Sequence, residues 1–434
     1  MPYVLGVDIG DSFTSAAVCR RRGATWGGAE TVRLGARSSA AASLIELSPT
    51  GALLTGDGVR ADASGDPGRI LRGFNRRVGD DVPMVVDGRS YRPQELLAAL
   101  ARLVVDRLHE QEGEACEQVV LAHPAGWGPH RQGLLLEALR DAGLGDVVLV
   151  PGPVAAAEHQ SAGGRLPGNA LLAGYDLGGT TCTTFLVGRP AHRSPELLAH
   201  TEHTIGGADL DDALLAHVRA AIGRAITDPS ADVDSGPVAV LLRRDCTEAR
   251  ERLSDAPEAH VPLPWWAGDP GGTGEHQRAM RVTRAELETL IRPLLRASVD
   301  GLARLVAGGD HAPADVAGVL LVGGAARTPL VAELIADRLR APVLLDEDPR
   351  TTAARGAALV ARRIVSGHRG GAAPVWPHEV TAPLPLAAEE SWPAGDDGRP
   401  ARPPVEPATE PARDADPPVG TLVARRARRG RRRR

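Results

Sequence analysis

Apolar positions along the first 365 residues fall into two rhythms. Short valine-, leucine- and alanine-rich runs read as strands at 3–7, 14–19, 118–122, 147–150, 170–175, 183–187, 316–322 and 343–345. Between them the spacing turns helical. Residues 93–108 carry Leu96, Leu97, Leu100, Leu103, Val104 and Leu108, and Leu210, Ala213, Leu214, His217, Val218, Ala221 and Ile222 repeat that period. Thr283 and Glu286 form a capping box ahead of Leu287, Leu290, Ile291, Leu294 and Leu295, which share one face. Strands alternating with helices predict an α/β fold of layered sheets. Residues 228–282 break the rhythm and read as a less regular insert, with Trp265 and Trp266 packed under a glycine-rich loop. From about Ser366 the apolar period disappears, and Pro, Ala, Glu and Gly predict a disordered tail over 366–434.

Three glycine motifs interrupt this pattern. They are Gly6-Val7-Asp8-Ile9-Gly10-Asp11-Ser12, Tyr175-Asp176-Leu177-Gly178-Gly179-Thr180-Thr181 and Leu320-Leu321-Val322-Gly323-Gly324-Ala325-Ala326-Arg327. A strand that ends in Asp-x-Gly turns sharply and aims backbone N–H groups into the turn, where a phosphate can come close. Asp8 and Asp176 are read as holding a hydrated magnesium ion on that phosphate; the plainer alternative is a turn aspartate capping its own backbone. Two such turns facing each other would clamp a nucleotide tail. The recurrence of the Asp-x-Gly strand near residues 8 and 176 predicts two lobes of similar design, about 1–165 plus 345–365 and about 166–344.

Composition narrows the chemistry. The 434 residues contain no lysine, so all 50 basic side chains are arginine. That excludes a Walker-type phosphate loop and any catalytic lysine. The net charge of −5 hides an asymmetry, because the last ten residues hold eight arginines and no acid. This run is either a solvated tail or an electrostatic contact for nucleic acid, an anionic membrane surface, an acidic protein or the acidic globular part itself. Cys19, Cys116, Cys182 and Cys246 form no Cys-x-x-Cys pair, which suits a reducing cytoplasm. No leader pattern opens the chain and no apolar stretch reaches membrane-spanning length, so a cytoplasmic location without a transmembrane segment is expected.

The ordered motifs resemble the actin, hexokinase and heat-shock chaperone superfamily, and within it the nucleotide-binding domain of the 70-kDa heat-shock chaperone (DnaK-like) family. Ile205-Gly206-Gly207-Ala208-Asp209-Leu210-Asp211 is similar to that family's Gly-Gly-x-Asp-Phe-Asp segment. The stretch from Cys246 to Ser254 resembles its adenine-side helix, and that from Val322 to Val331 its adenosine motif. Pro151-Gly152-Pro153-Val154-Ala155-Ala156-Ala157 looks like its connecting helix, and Asp348-Pro349 with Gly356-Ala357-Ala358 like its closing segment. The likeness runs from residue 3 to about 364. It implies a two-lobed actin-like ATPase fold with ribonuclease H-like lobes, ATP or ADP and magnesium as cofactors, and an unidentified protein partner. By this resemblance Gly10, Asp11, Ser12, Gly178, Gly179, Thr180, Thr181, Gly206, Gly207, Gly323 and Gly324 would line the nucleotide. Arg327 would lie along the adenine. Arg250, where the family has lysine, would stack on the base near Ser254.

The same resemblance exposes departures. Asp8, Asp176 and Thr181 stand where the family has catalytic groups. Asp11, however, replaces a threonine that touches the terminal phosphates. A carboxylate about 4 Å from an anion costs roughly 4 kcal/mol at an effective dielectric near 20. Asn75 replaces the catalytic lysine, Gly152 a glutamate and Thr183 an aspartate. Arg76 is either a substitute cation or a surface arginine. The 70 or so residues after Val365 are too proline-rich for the family's client-binding module. Weak or absent hydrolysis in a nucleotide-dependent switch or scaffold is therefore expected. The alternatives are an active chaperone-type ATPase with an altered catalytic set, a small-molecule kinase of the same superfamily, and an actin-like filament protein.

Overall fold

Two sheets of the same order carry the fold. In the first, Tyr3–Ile9 is central, with Phe13–Arg22 antiparallel on one side. Val119–His123 and then Val147–Pro151 lie parallel on the other. Glu30–Val32 and Ala40–Ala42 extend the antiparallel edge. In the second, Ala170–Leu177 is central, flanked by Cys182–Arg189 and Glu196–His203 antiparallel. Val316–Val322 and Val343–Leu345 run parallel on its far side. Each central strand is buried on both faces, which is why it reads as an almost unbroken apolar run. Each carries an aspartate one residue before its end and runs into a hairpin closed by a glycine: Gly10 N–H donates to the Phe13 carbonyl at 3.0 Å, and Gly178 N–H to the Thr181 carbonyl at 2.9 Å.

The computed structural model describes residues 1–35, 38–48, 53–55, 67–163, 169–189, 193–225, 236–263, 279–308 and 315–369, all within one compact unit. The expected tail beyond residue 369, and Trp265 and Trp266, lie outside the described residues. The last described helix, Thr352–Arg369, runs past the expected boundary at 365.

Two small-residue helices join the sheets. Gly152–Ala162 crosses Thr352–Arg369 so closely that a Cβ on Gly356 would sit 1.7 Å from the Ala155 carbonyl oxygen. A Cβ on Gly6 would lie 2.1 Å from Ala358 N, so the second helix also presses on the first central strand. The alanine runs in both helices have this physical cause. Ala156 and Ala157 then pack against Leu172, Phe185 and Leu320 of the second sheet.

The helical faces read from spacing hold with small exceptions. Arg284–Ala307 begins at the Thr283–Glu286 capping box and buries Leu287, Ile291 and Leu295, whereas Leu294 faces solvent. Pro93–Glu112 buries Leu96, Leu97, Leu100, Val104 and Leu108 and ends at Gly113 with φ 74°. The insert is a correction. Residues 228–282 contain the helix Gly236–Leu253 and the hairpin of Glu258–Pro262 with Ala279–Thr283. Leu242, Cys246, Ala249 and Leu253 form a buried stripe of helical period, masked in the sequence by the polar residues between them.

Candidate functional site

Both Asp-x-Gly hairpins open into one cleft, which holds two adjoining cavities. The deeper, about 220 Å³, is lined by Asp8, Gly10, Asp11, Asn75, Arg76, Gly152, Asp176, Gly178, Thr181, Thr183 and Gly323, among others. The outer, about 180 Å³, is lined by Gly207, Thr247, Arg250, Glu251, Ser254, Ala325 and Arg327, among others. Ser12, Phe13, Gly179, Thr180, Gly324 and Arg350 line both and mark the neck between them. Every residue singled out from the sequence lines one cavity or the other except Gly206. The Gly206 N–H is taken by the Asp209 side chain at 2.7 Å, so it does not face the cleft as a donor. The N–H groups of Gly207 and Ala208 are spent on the carbonyls of Gly178 and Gly179, at 2.9 and 2.8 Å. This segment therefore braces the second hairpin instead of offering free donors to an anion.

Burial pushes Asp8 up to about 7, helped by the facing Asp176 carboxylate, and burial pushes Asp176 up to about 6. Two carboxylates that raise their own proton affinity in this way suit a cation placed between them. Among the described residues no three His, Cys, Asp or Glu side chains converge to ligate a metal directly. Two facing buried carboxylates are a donor set that a hydrated divalent ion would fit, with Asp8 and Asp176 as the residues that would hold it. Gly323 closes the same floor. Its φ of 88° and a Cβ that would sit 2.3 Å from the Leu177 carbonyl oxygen leave room for glycine only.

The positions expected to depart from the family pattern have definite surroundings. Asn75 is buried and donates from Nδ2 to the Ile9 carbonyl at 2.8 Å, so its amide is engaged with the first lobe's backbone. Asp11 bridges the two lobes: Thr180 Oγ1 donates to one carboxylate oxygen at 2.5 Å and the Arg76 N–H to the other at 3.2 Å. Gly152 opens its helix with space around it, a Cβ there meeting only the His123 carbonyl oxygen at 3.5 Å. The Arg76 guanidinium is exposed and pairs with no carboxylate among the described residues.

On the outer side, Arg250 is buried and its Nε donates to Asp211, which fixes the guanidinium against the wall. Arg327 Nη2 donates to both oxygens of Asp255, at 3.0 and 2.8 Å. Both are therefore held planes at the cavity edge. Residues that the sequence did not single out also line the cleft: Glu202, His123, Trp127, Arg131 and Arg350. Glu202 lies opposite Thr183 in the register of neighbouring strands. His123 and Trp127 stack with centroids 5.9 Å apart. A period-two reading of 196–203 would have placed Glu202 on a strand, but that strand's polar character hid it.

Two sheets of matching order around facing Asp-x-Gly hairpins define the two-lobed actin-like ATPase class. Within that class the chain belongs to the Hsp70 protein family, whose profile matches residues 60–392. Chaperone protein DnaK of Nitrosopumilus maritimus (strain SCM1) is 25% identical over 367 residues, 83% of this chain and 56% of that relative. The DnaK of Endomicrobium trichonymphae is 27% identical over 364 residues, 83% of this chain and 57% of the relative. The DnaK of Elusimicrobium minutum (strain Pei191) is 26% identical over 368 residues, 83% and 58%. The chain thus spans a little over half the length of the curated relatives it matches. Among the described residues no helix is long and apolar enough to cross a membrane.

Proposed function

We propose that the chain binds an adenine nucleotide, ATP or ADP with magnesium, in the cleft between its lobes. On this reading it works in the cytoplasm as a chaperone-family switch or scaffold with weak or absent hydrolysis. The lobes are residues 1–165 with 345–365, and 166–344, and the arginine-rich C-terminal run is a candidate contact for an anionic partner. One observation carries the reading. The facing hairpins, with their buried carboxylates, and residues of the segment 323–327 line one cleft, while Asn75, which the resemblance puts where the family has its lysine, is tied to Ile9. On this reading nucleotide binding rests on backbone and charge placement around the cleft, whereas transition-state stabilisation would need groups that the resemblance puts at Asn75, Gly152 and Thr183.

Arg76 and Glu202 support a second reading, an active ATPase with an altered set, because both line the deep cavity. The test is a titration with labelled ATP and ADP, with and without magnesium, followed by turnover on the same sample. Saturable, magnesium-sensitive binding is expected, with turnover below roughly one per minute against the ~1–10³ per second usual for enzymes. Gly324→Leu should abolish binding by filling the neck, where a Cβ already meets Arg350 Cγ at 3.0 Å. Full-strength binding by that variant would refute the site. Brisk magnesium-dependent turnover by the natural chain would favour the second reading.

A further inference from the structure

The Asp11 carboxylate sits where two loops from different lobes meet, and it is held as a bound anion would be. A hydroxyl from the second hairpin, Thr180, and a backbone N–H from the first lobe, Arg76, both donate to it. Ser12 follows it across the same gap. A Cβ on Gly179 would fall 1.9 Å from Ser12 Oγ, so the hairpins are in direct contact there. Thr180 and Ser12 belong to the neck, whereas Asp11 faces only the deep cavity. The ionic character of the cleft changes across this neck. The deep cavity holds the carboxylates of Asp8, Asp11, Asp176 and Glu202 against three guanidiniums; the outer one holds three guanidiniums against two carboxylates.

From this arrangement we infer that Asp11 is a specificity residue, an internal anion that occupies the donors a terminal phosphate would need and tunes the cleft toward nucleotides with the shorter phosphate chain. The inference rests on the nucleotide reading above. A diphosphate places its charge nearer the neck, within reach of Arg350, which lines both cavities. A third phosphate enters the deep cavity, meets the Asp11 carboxylate and must take over its hydrogen bonds. Repulsion between like charges in a confined cleft is screened far less than in bulk water, so one carboxylate is enough to reorder the preference. Replacing Asp11 by asparagine keeps the shape and the acceptor for Thr180 but removes the charge. Serine removes both the charge and most of the bulk.

The experiment measures dissociation constants of the full chain for ADP and ATP by calorimetry in magnesium, for the natural protein, Asp11→Asn and Asp11→Ser. Each variant is first checked for a natural-like unfolding transition. The natural chain should bind ADP at least about tenfold more tightly than ATP. In the variants ATP affinity should rise at least about tenfold while ADP affinity moves less than about threefold. Equal affinity for the two nucleotides in the natural chain, or equal changes for both in the variants, would overturn the inference while leaving nucleotide binding intact. If neither nucleotide binds to any of the three proteins, the functional reading itself is refuted and the inference falls with it. Two substitutions of different size keep the result readable if one of them fails to fold.

Discussion

Replacing Asp8 by asparagine should make the protein more stable and less able to use magnesium. Burial and the facing Asp176 raise the Asp8 carboxyl from 3.8 to about 7. At about 1.4 kcal/mol per pH unit, keeping Asp8 charged at neutral pH costs up to roughly 4 kcal/mol. The cleft floor still meets solvent, which discounts this to about 1–2 kcal/mol in practice. The pH dependence is specific. The folded protein holds this proton more tightly than the unfolded chain, so natural-protein stability falls as pH rises from about 4 to about 7. Asparagine has no such proton, so the variant's advantage is absent near pH 4, grows through that window and levels off above it. Urea unfolding of both proteins in EDTA, at steps from about pH 4.5 to 8, measures the gap. A variant that is less stable at every pH, or a gap that does not change with pH, would refute the electrostatic account of the pair. Magnesium-dependent nucleotide binding should weaken in the same variant.

Two further outcomes follow from the site and its surroundings. Combining Asn75→Lys, Asp11→Thr and Thr183→Asp should raise ATP turnover by about 10²–10³-fold, more than the about tenfold gain in ATP affinity expected from Asp11 alone; a purely affinity-driven change in an assay of kcat and KM would contradict the assignment of these positions. Away from the cleft, burial would raise Asp346. Hydrogen bonds from His159 and Thr352, and the charges of His159 and Arg355, outweigh that and bring it down to about 2. Because its folded value lies below the unfolded one, its contribution is present above about pH 4 and is lost as pH falls toward about 2. Discounted for solvent screening, Asp346→Asn should therefore cost about 1 kcal/mol at neutral pH, and the gap in urea midpoint should close in acid; a gap that persists unchanged below pH 4 would show that the side chain acts through packing alone.

What the sequence disclosed depended on how locally each feature is encoded. The central strands and the hairpins were legible because both faces of the strands are buried, and a buried strand must be written as a continuous apolar run that stops at its turn. Glu196–His203 was not, since it lies at a sheet edge and most of its residues are exposed. Of the helix Gly236–Leu253 only the stretch from Cys246 was anticipated, through family likeness, because its buried stripe of Leu242, Cys246, Ala249 and Leu253 is diluted by arginines and acids. Site positions were legible where a motif fixed them. What a motif does not encode is the partner of each side chain. Nothing in the spacing of Asp11 and Thr180, 169 residues apart, announces that they meet, nor that Asn75 reaches back to Ile9. Gly206, expected to line the nucleotide, lines neither cavity for the same reason. Glycine near a phosphate turn signals close approach, but here the approach is of protein to protein: a Cβ on Gly206 would lie 2.5 Å from the backbone of Thr180.

The distribution of costly features across the cleft bears on which function persists. Asp8 and Asp176 disfavour the folded state while they stand charged and unpaired, and a fold with no use for a cation there would be more stable with asparagine at either position. Under the proposed function, their presence on facing, matching hairpins would be accounted for by a ligand that repays the repulsion. Asn75, Gly152 and Thr183 carry no comparable cost: each is neutral, and Asn75 satisfies a backbone carbonyl. On the proposed reading, the electrostatic cost is concentrated in the groups that would hold a metal-bound nucleotide and absent from Asn75, Gly152 and Thr183. This asymmetry is what a binding switch requires, and a rapid ATPase would need the opposite arrangement at Asn75, where a buried cation would have to be kept charged against desolvation.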